Sequence, residues 1–231
     1  MLKVGIGIST YKRTKYLIHI ICELIRTEIN LKDVVFFVDG NDENDDFLIQ
    51  VRKHQQLHGF KVITNPWTGH RGNFLNIGNW FKENGYQYFF YIEDDTTFCK
   101  NWLPFSLKVI DELKGPTFGV LALYCGHSHI NAPKVRRSVY ENIGRLPFYG
   151  SCAWLLSVDF FDKIAKKMEE NHNPDTAVMD LKIKGTMYRV FVVTPNIAQH
   201  EGAGESAILP DVPPHRSHDF YGELNDAFGL L

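Results

Sequence analysis

The chain has 231 residues, 44% of them apolar and 23% charged, which is enough to bury a full core and excludes collagen-like, disordered and coiled-coil proteins. Twenty-five Lys and Arg against 27 Asp and Glu leave a net charge of −2, an argument against a protein that coats nucleic acid. Four scattered cysteines without a C-x-x-C pair fit reduced thiols in a cytoplasmic protein better than a disulfide frame or a zinc cage. The N-terminal apolar run is too short for a signal peptide, and no stretch approaches the roughly 18 apolar residues of a membrane span.

In chain order, Val4–Ser9 reads as a buried strand, and Leu17, Ile20, Ile21, Leu24 and Ile25 recur at helical spacing. Val34–Val38 is a second apolar strand, closed by Asp39-Gly40 and followed by a helix around Phe47–Leu57. Phe60–Ile63 gives a third strand, Gly72–Phe81 a helix, and Tyr86–Ile92 the most strongly apolar strand of all. A helix through Trp102, Phe105, Val109 and Leu113 leads to a strand at Phe118–Tyr124, then an irregular segment from Cys125 to Gly150. Beyond it, the pattern predicts a strand at Ala153–Ser157, helices at Phe160–Met168 and Ala177–Lys184, a last strand at Arg189–Val193, and an irregular tail over 209–231. Continuous apolar strands alternating with helices predict an α/β protein with a mixed, mostly parallel sheet covered on both faces. Nothing divides the chain into separate domains.

Functional groups in such a sheet gather at the strands' carboxyl ends. The polar clusters fall there: Ser9-Thr10-Tyr11, Asp39-Gly40 and Glu93-Asp94-Asp95. In an extended chain, positions 93 and 95 point to the same side, and two such carboxylates suit a divalent cation, Mn²⁺ or Mg²⁺, whose remaining ligands come from a diphosphate.

Taken in order, Ile6-Gly7-Ile8-Ser9-Thr10-Tyr11-Lys12-Arg13, Val38-Asp39-Gly40, Gly69-His70-Arg71-Gly72-Asn73 with Asn76-Ile77-Gly78, and Glu93-Asp94-Asp95 resemble the donor half of GT-A fold, family 2-like glycosyltransferases. The resemblance covers about the first hundred residues. It implies a GT-A fold in which Thr10, Tyr11 and Arg13 flank a base and ribose, Asp39 accepts the imide hydrogen of uracil, and Arg71 and Asn76 approach the ribose, diphosphate or sugar. The acidic triplet looks like the family's D-x-D motif with Glu first: Asp95 on the metal, Asp94 on the sugar, Glu93 on the ribose or a water. Residues 101–208 would then form the acceptor half.

The resemblance also reaches the second half. Gln199-His200-Glu201-Gly202 is similar to the segment with which metal-dependent members complete their cation site, so His200 is implied as a further metal ligand. Asp180 resembles the carboxylate that inverting members place at the start of a helix to act as general base; it also reads as a helix-surface charge, with Asp175 as a helix cap. Trp154 reads as an acceptor platform or as core. The segment Lys134–Arg145, with four basic residues and one Glu, reads as a solvated loop or as a guide for an anionic acceptor. His200, His215 and Arg216 belong to a C-terminal segment expected to close over the diphosphate. Together these imply transfer of a sugar from a UDP-sugar to a hydroxyl of a glycan, a small molecule or a modified DNA base. A sugar-nucleotide nucleotidyltransferase and a non-catalytic nucleotide- or glycan-binding module are the alternatives.

Overall fold

The computed structural model describes residues 2–125, 140–142, 150–170, 173–202, 220 and 222–230. Its elements are β1 (Val4–Thr10), α1 (Thr14–Arg26), β2 (Val34–Asp39), α2 (Asp46–His58), β3 (Lys61–Asn65), α3 (Gly69–Glu83), β4 (Tyr88–Glu93), β5 (Thr96–Phe98), α4 (Trp102–Leu113), β6 (Phe118–Ala122), β7 (Tyr140–Asn142), β8 (Ala153–Ser157), α5 (Val158–Met168), α6 (Pro174–Ile183), β9 (Arg189–Val193) and β10 (Ala198–His200). Eight strands make one sheet in the order β3-β2-β1-β4-β8-β6-β9-β7, while β5 and β10 form a separate pair. Strands β1 to β4 are mutually parallel, β8 runs antiparallel to both β4 and β6, and β7 runs antiparallel to β9, so the sheet is mixed.

Strand alternation divides the core between two faces. Val34, Phe36 and Val38 of β2, with Phe90 and Ile92 of β4, pack with Leu17 of α1, Phe47 of α2 and Trp102 of α4. Val35, Phe37, Phe89 and Tyr91 point the other way, against Phe74 of α3, Phe160 of α5 and Ala177 of α6. Because both faces are covered, these strands read as unbroken apolar runs.

Helix α3 lies unusually close to β1. A Cβ on Gly5 would sit 2.1 Å from the Phe81 ring, and one on Gly7 would sit 2.9 Å from Ile77. This approach buries Phe81 completely, a gain of about 1.5–3 kcal/mol, and brings the first turn of α3 to the carboxyl edge of the sheet. Helix α2 is capped at both ends: the Asp45 carboxylate accepts the Phe47 N–H at 2.8 Å, and Gly59 ends the helix at φ 80. Helix α1 has no side-chain cap, because the residue at its cap position, Arg13, has no acceptor to offer; its guanidinium donates to Asp95 instead.

The β5–β10 pair fixes the far side of the same edge. Buried Glu23 of α1 accepts the Phe98 N–H at 3.0 Å and holds β5 against that helix. Antiparallel pairing then sets His200 opposite Thr96, next to the acidic triplet, with the Glu201 N–H bonded to the Asp95 carbonyl at 2.7 Å. Among the described residues, no helix is long and apolar enough to cross a membrane.

Candidate active site

The carboxyl ends of β1, β2 and β4 line a cleft of about 310 Å³. At its floor, Arg13 donates from Nη1 to Asp95 Oδ2 at 2.7 Å and from Nη2 to Asp94, while Thr10 Oγ1 donates to Asp94 Oδ2 at 2.6 Å. Burial pushes the Asp94 carboxyl up, against the pull of Arg13, to about 7. Asp95 is buried as well, yet His200 and Arg13 draw it down to about 2. It is an anion held ready by cations.

His200 Nε2 lies 3.3 Å from Asp95 Oδ1 and 3.8 Å from Glu93 Oε2. One ligand atom from each of the three residues falls within 4.8 Å of the others. A hard divalent ion at roughly 2.1 Å from each donor would place adjacent ligands about 3 Å apart and opposite ones about 4.2 Å apart, so this donor set fits Mn²⁺ or Mg²⁺. Two further observations agree. Asp95 Oδ1 is sealed from solvent without a hydrogen bond, and Gly202 packs so tightly on this carboxylate that a Cβ there would stand 1.8 Å from Oδ2. Burial opposes a charge on His200, but Asp95 and Glu93 outweigh it and raise the imidazole to about 9.

His70, at the start of α3, holds the outer oxygen of Glu93: its Nε2 lies 3.0 Å from Oε1. Burial works against charge on this ring too, but Glu93 lifts it above the ordinary histidine range, while burial of Glu93 is overcome by His70 and that carboxyl is lowered. With Oε1 engaged, Oε2 is the oxygen turned toward His200. Such an outer partner fixes a ligand's orientation.

At the other end of the cleft stand Tyr11, Asp39 and Trp67, which also line a second chamber of about 190 Å³ reaching toward Asp42, Asp45 and Phe47. Asp39 is only 3% exposed, and its Oδ1 accepts both the Thr68 N–H at 2.7 Å and the Thr68 hydroxyl at 3.1 Å.

The structure gathers Thr10, Tyr11, Arg13, Asp39, Glu93, Asp95 and His200 around one cleft and corrects the placement of five other residues. Asp94 is fully buried under Thr10 and Arg13, so it braces the floor and does not reach a sugar. Arg13 itself is paired with Asp94 and Asp95 on the acidic floor. Arg71 donates to the Met168 carbonyl at the end of α5, because one residue of helical rotation carries it away from the cleft face. Asn76 does not line the cleft; His70 and Asn73, three apart on α3, do, with Asn73 Nδ2 bonded to Ser9 Oγ at 2.8 Å and its Oδ1 buried without a partner. Trp154 is core: it is wholly buried, packs edge-on against Phe74 and donates to the Gly150 carbonyl at 2.9 Å.

Asp180 is the fifth. It lies late in α6 and is clasped by Lys167 at 2.6 Å and Lys184 at 2.9 Å, which lower its carboxyl. Asp175, at the start of the same helix, does not line the cleft but lies close enough for its charge to act on His70. Its Oδ2 accepts the Gly150 N–H at 3.1 Å, its Oδ1 is buried without a partner, and burial raises its pKa with His70 and Glu93 among the charges it feels. From sequence, no separate role falls to His70, Asn73 or Trp67, and Asp175 reads as a helix cap. The signals available were the i, i+3 spacing of 70 and 73 and the Pro174-Asp175 helix start. The segment 134–145 lies outside the described residues except for 140–142, as do His215 and Arg216.

No protein-family model and no curated protein matches the sequence. Solved structures do match in shape. GalNAc-T7, solved with UDP, GalNAc and Mn²⁺, superposes with a TM-score of 0.60 at 12% identity over 87% of this chain and 44% of its own. Staphylococcus aureus TarS gives 0.55 at 17% identity over 85% and 36%, and the Pyrobaculum calidifontis mannosyltransferase PcManGT, solved with GDP-Man and Mn²⁺, gives 0.53 at 13% over 84% and 55%. The chain thus spans about half or less of these transferases. A putative glucose-1-phosphate thymidylyltransferase from Bacillus anthracis gives 0.54 at 11% identity over 90% of this chain and 96% of its own. At these identities the likeness establishes architecture, and the chain has the GT-A fold.

Proposed function

We propose that the protein is a metal-dependent glycosyltransferase that moves a sugar from a UDP-sugar to an acceptor hydroxyl with inversion. The observation that carries this reading is the Glu93, Asp95 and His200 cluster at one end of a cleft whose other end is formed by Tyr11, Asp39 and Trp67. That spacing suits a nucleotide at one end and its diphosphate at the other. Mn²⁺ or Mg²⁺, when bound by Glu93, Asp95 and His200, supplies positive charge for the departing diphosphate.

The chain's own residues do the rest. Arg13 braces Asp94 and Asp95, and His70 holds Glu93 so that one oxygen faces inward. Asp39 accepts the imide hydrogen of uracil through Oδ2, since Oδ1 is already engaged. Asp175 Oδ1 takes the proton of the acceptor hydroxyl as that oxygen attacks the anomeric carbon; the bond from this carbon to the diphosphate breaks, and UDP leaves. Its raised pKa makes it a better proton acceptor than an ordinary surface carboxylate. The acceptor is a glycan, a small molecule or a modified DNA base, and a reducing compartment suits the free cysteines.

The likeness to a thymidylyltransferase keeps nucleotidyl transfer as a second reading, although the short Thr10–Lys15 turn lacks the long Gly- and Arg-rich phosphate loop such enzymes use. UDP-sugar turnover with and without EDTA, compared with release of pyrophosphate from UTP and a sugar 1-phosphate, separates the two. Turnover lost with EDTA and in Asp95→Ala supports the proposal. Undiminished metal-free turnover, or pyrophosphate release alone, overturns it, and UDP binding without any turnover would mark a binding module.

A further inference from the structure

Trp67 is a large apolar side chain left 68% exposed, at the neck where the two chambers of the cleft meet. Among the described residues, only Tyr11, Asp39 and Trp67 line both chambers. The residue that follows Trp67 is Thr68, which donates twice to the same oxygen of Asp39. Thr68 has a second constraint: a Cβ on Gly72 would lie 2.2 Å from its Cβ, so the first turn of α3 is shaped to let Thr68 stand where it does. Residues 67 and 68 therefore bind the neck to Asp39 from one side while α3 backs them from the other.

We propose that Trp67 and Thr68 form a base-reading strap: Trp67 closes on the nucleobase against Tyr11, and Thr68 occupies one oxygen of Asp39 so that the carboxylate reads a single imide hydrogen. This rests on the nucleotide-donor reading and adds to it the residues that choose the base. The chemistry is specific. With Oδ1 filled by two donors, Oδ2 is left for one N–H, which uracil and thymine offer at N3. Guanine presents two adjacent donors and wants both carboxylate oxygens; neutral cytosine has no N–H at N3, and although its N4 amino group can donate, the pose that suits uracil sets the N3 lone pair against the carboxylate. Stacking supplies affinity without choosing among bases, since every base has a π-face, so affinity belongs to Trp67 and choice to Thr68 with Asp39.

The strap can be tested by binding alone. Of the four tryptophans, Trp102 and Trp154 are fully buried and the half-buried Trp80 lines neither chamber, so a nucleotide that closes the neck changes chiefly the exposed Trp67 emission. With Mg²⁺ fixed throughout, UDP and dTDP are expected to quench that emission and to bind at least 10-fold more tightly than GDP or CDP by calorimetry. Trp67→Ala should weaken UDP roughly 10-fold and remove the quench, and Trp67→Phe should restore most of the affinity without the signal. Thr68→Val keeps the backbone N–H but frees a lone pair on Oδ1, and should reduce the preference for UDP over GDP. Trp67 is a surface residue, so these variants remove no core packing. UDP binding unchanged in Trp67→Ala, or a UDP preference untouched by Thr68→Val, overturns the strap while leaving the donor reading intact. Failure of every nucleotide to bind overturns both.

Discussion

The carboxyl edge of β4 and the helix α6 both present carboxylates to nearby cations, and they resolve the encounter differently. At the edge, Arg13 and His70 each hold an outer oxygen, so Asp95 and Glu93 keep an inner oxygen facing His200. On α6, Lys167 and Lys184 both pair with Oδ2 of Asp180 and neutralise it away from the cleft, whereas Asp175 five residues earlier meets no lysine among the described residues and keeps Oδ1 buried without a hydrogen bond. A carboxylate is useful to chemistry when its neighbours hold it in place without consuming it. Residue type alone does not distinguish the cases; the direction from which the cations arrive does.

Removing the free carboxylate should have the largest effect. Asp175→Asn is expected to lower kcat by roughly 10²–10⁴-fold while UDP affinity stays within a few fold, the split expected of a proton acceptor. Equal losses in kcat and in UDP affinity would move Asp175 into the donor site. Asp95→Ala should cost roughly 10²–10³-fold in kcat/KM through lost stabilisation of the leaving group, with Mn²⁺ binding abolished. Gly202→Ala attacks the same anion without touching a polar atom. Its Cβ would overlap Asp95 Oδ2, and Mn²⁺ affinity should fall roughly 10–100-fold, the range seen when an outer support of a metal ligand is lost.

Proton competition gives a graded test. In the metal-free protein His200 is raised to about 9, so at neutral pH it carries a proton that a cation must displace. Apparent Mn²⁺ affinity should rise by about tenfold per pH unit up to about pH 9 and then level, and calorimetry in buffers of different ionisation enthalpy should count close to one proton released. Asp180→Asn should do least. It removes one of the two carboxylates paired with buried Lys167, which keeps Glu170, and both kcat and UDP affinity should remain at wild-type values; a large loss of kcat would restore Asp180 as the base.

Much of the fold is legible in the sequence because its strands are covered on both faces. Continuous runs such as Val34–Val38 and Tyr88–Ile92 announce themselves, and their acidic or Asp-Gly ends mark the functional edge. Glu93 and Asp95 do converge, but not through the two-residue period of a strand: β4 ends at Glu93, and the turn at residues 94–95 brings Asp95 round beside it. The residues that escaped lie where helical phase or long-range pairing decides. Arg71 and His70 are neighbours in sequence, yet α3 begins at Gly69 and turns one toward α5 and the other toward Glu93. Three-residue strands β5 and β10 are too short to leave a periodic signal, and the antiparallel β8 reads as any buried strand would. Trp154 is ambiguous for a related reason, since an aromatic after a small-residue turn serves a core and a platform equally well.

Electron paramagnetic resonance titration of Mn²⁺ with and without UDP decides whether Glu93, Asp95 and His200 jointly hold a divalent cation for a nucleotide diphosphate. The account predicts one site per chain in the wild type, tightened by UDP, and loss of that site in Asp95→Ala. One-site binding that persists in Asp95→Ala, or UDP that binds with the same affinity whether or not Mn²⁺ is present, would contradict it.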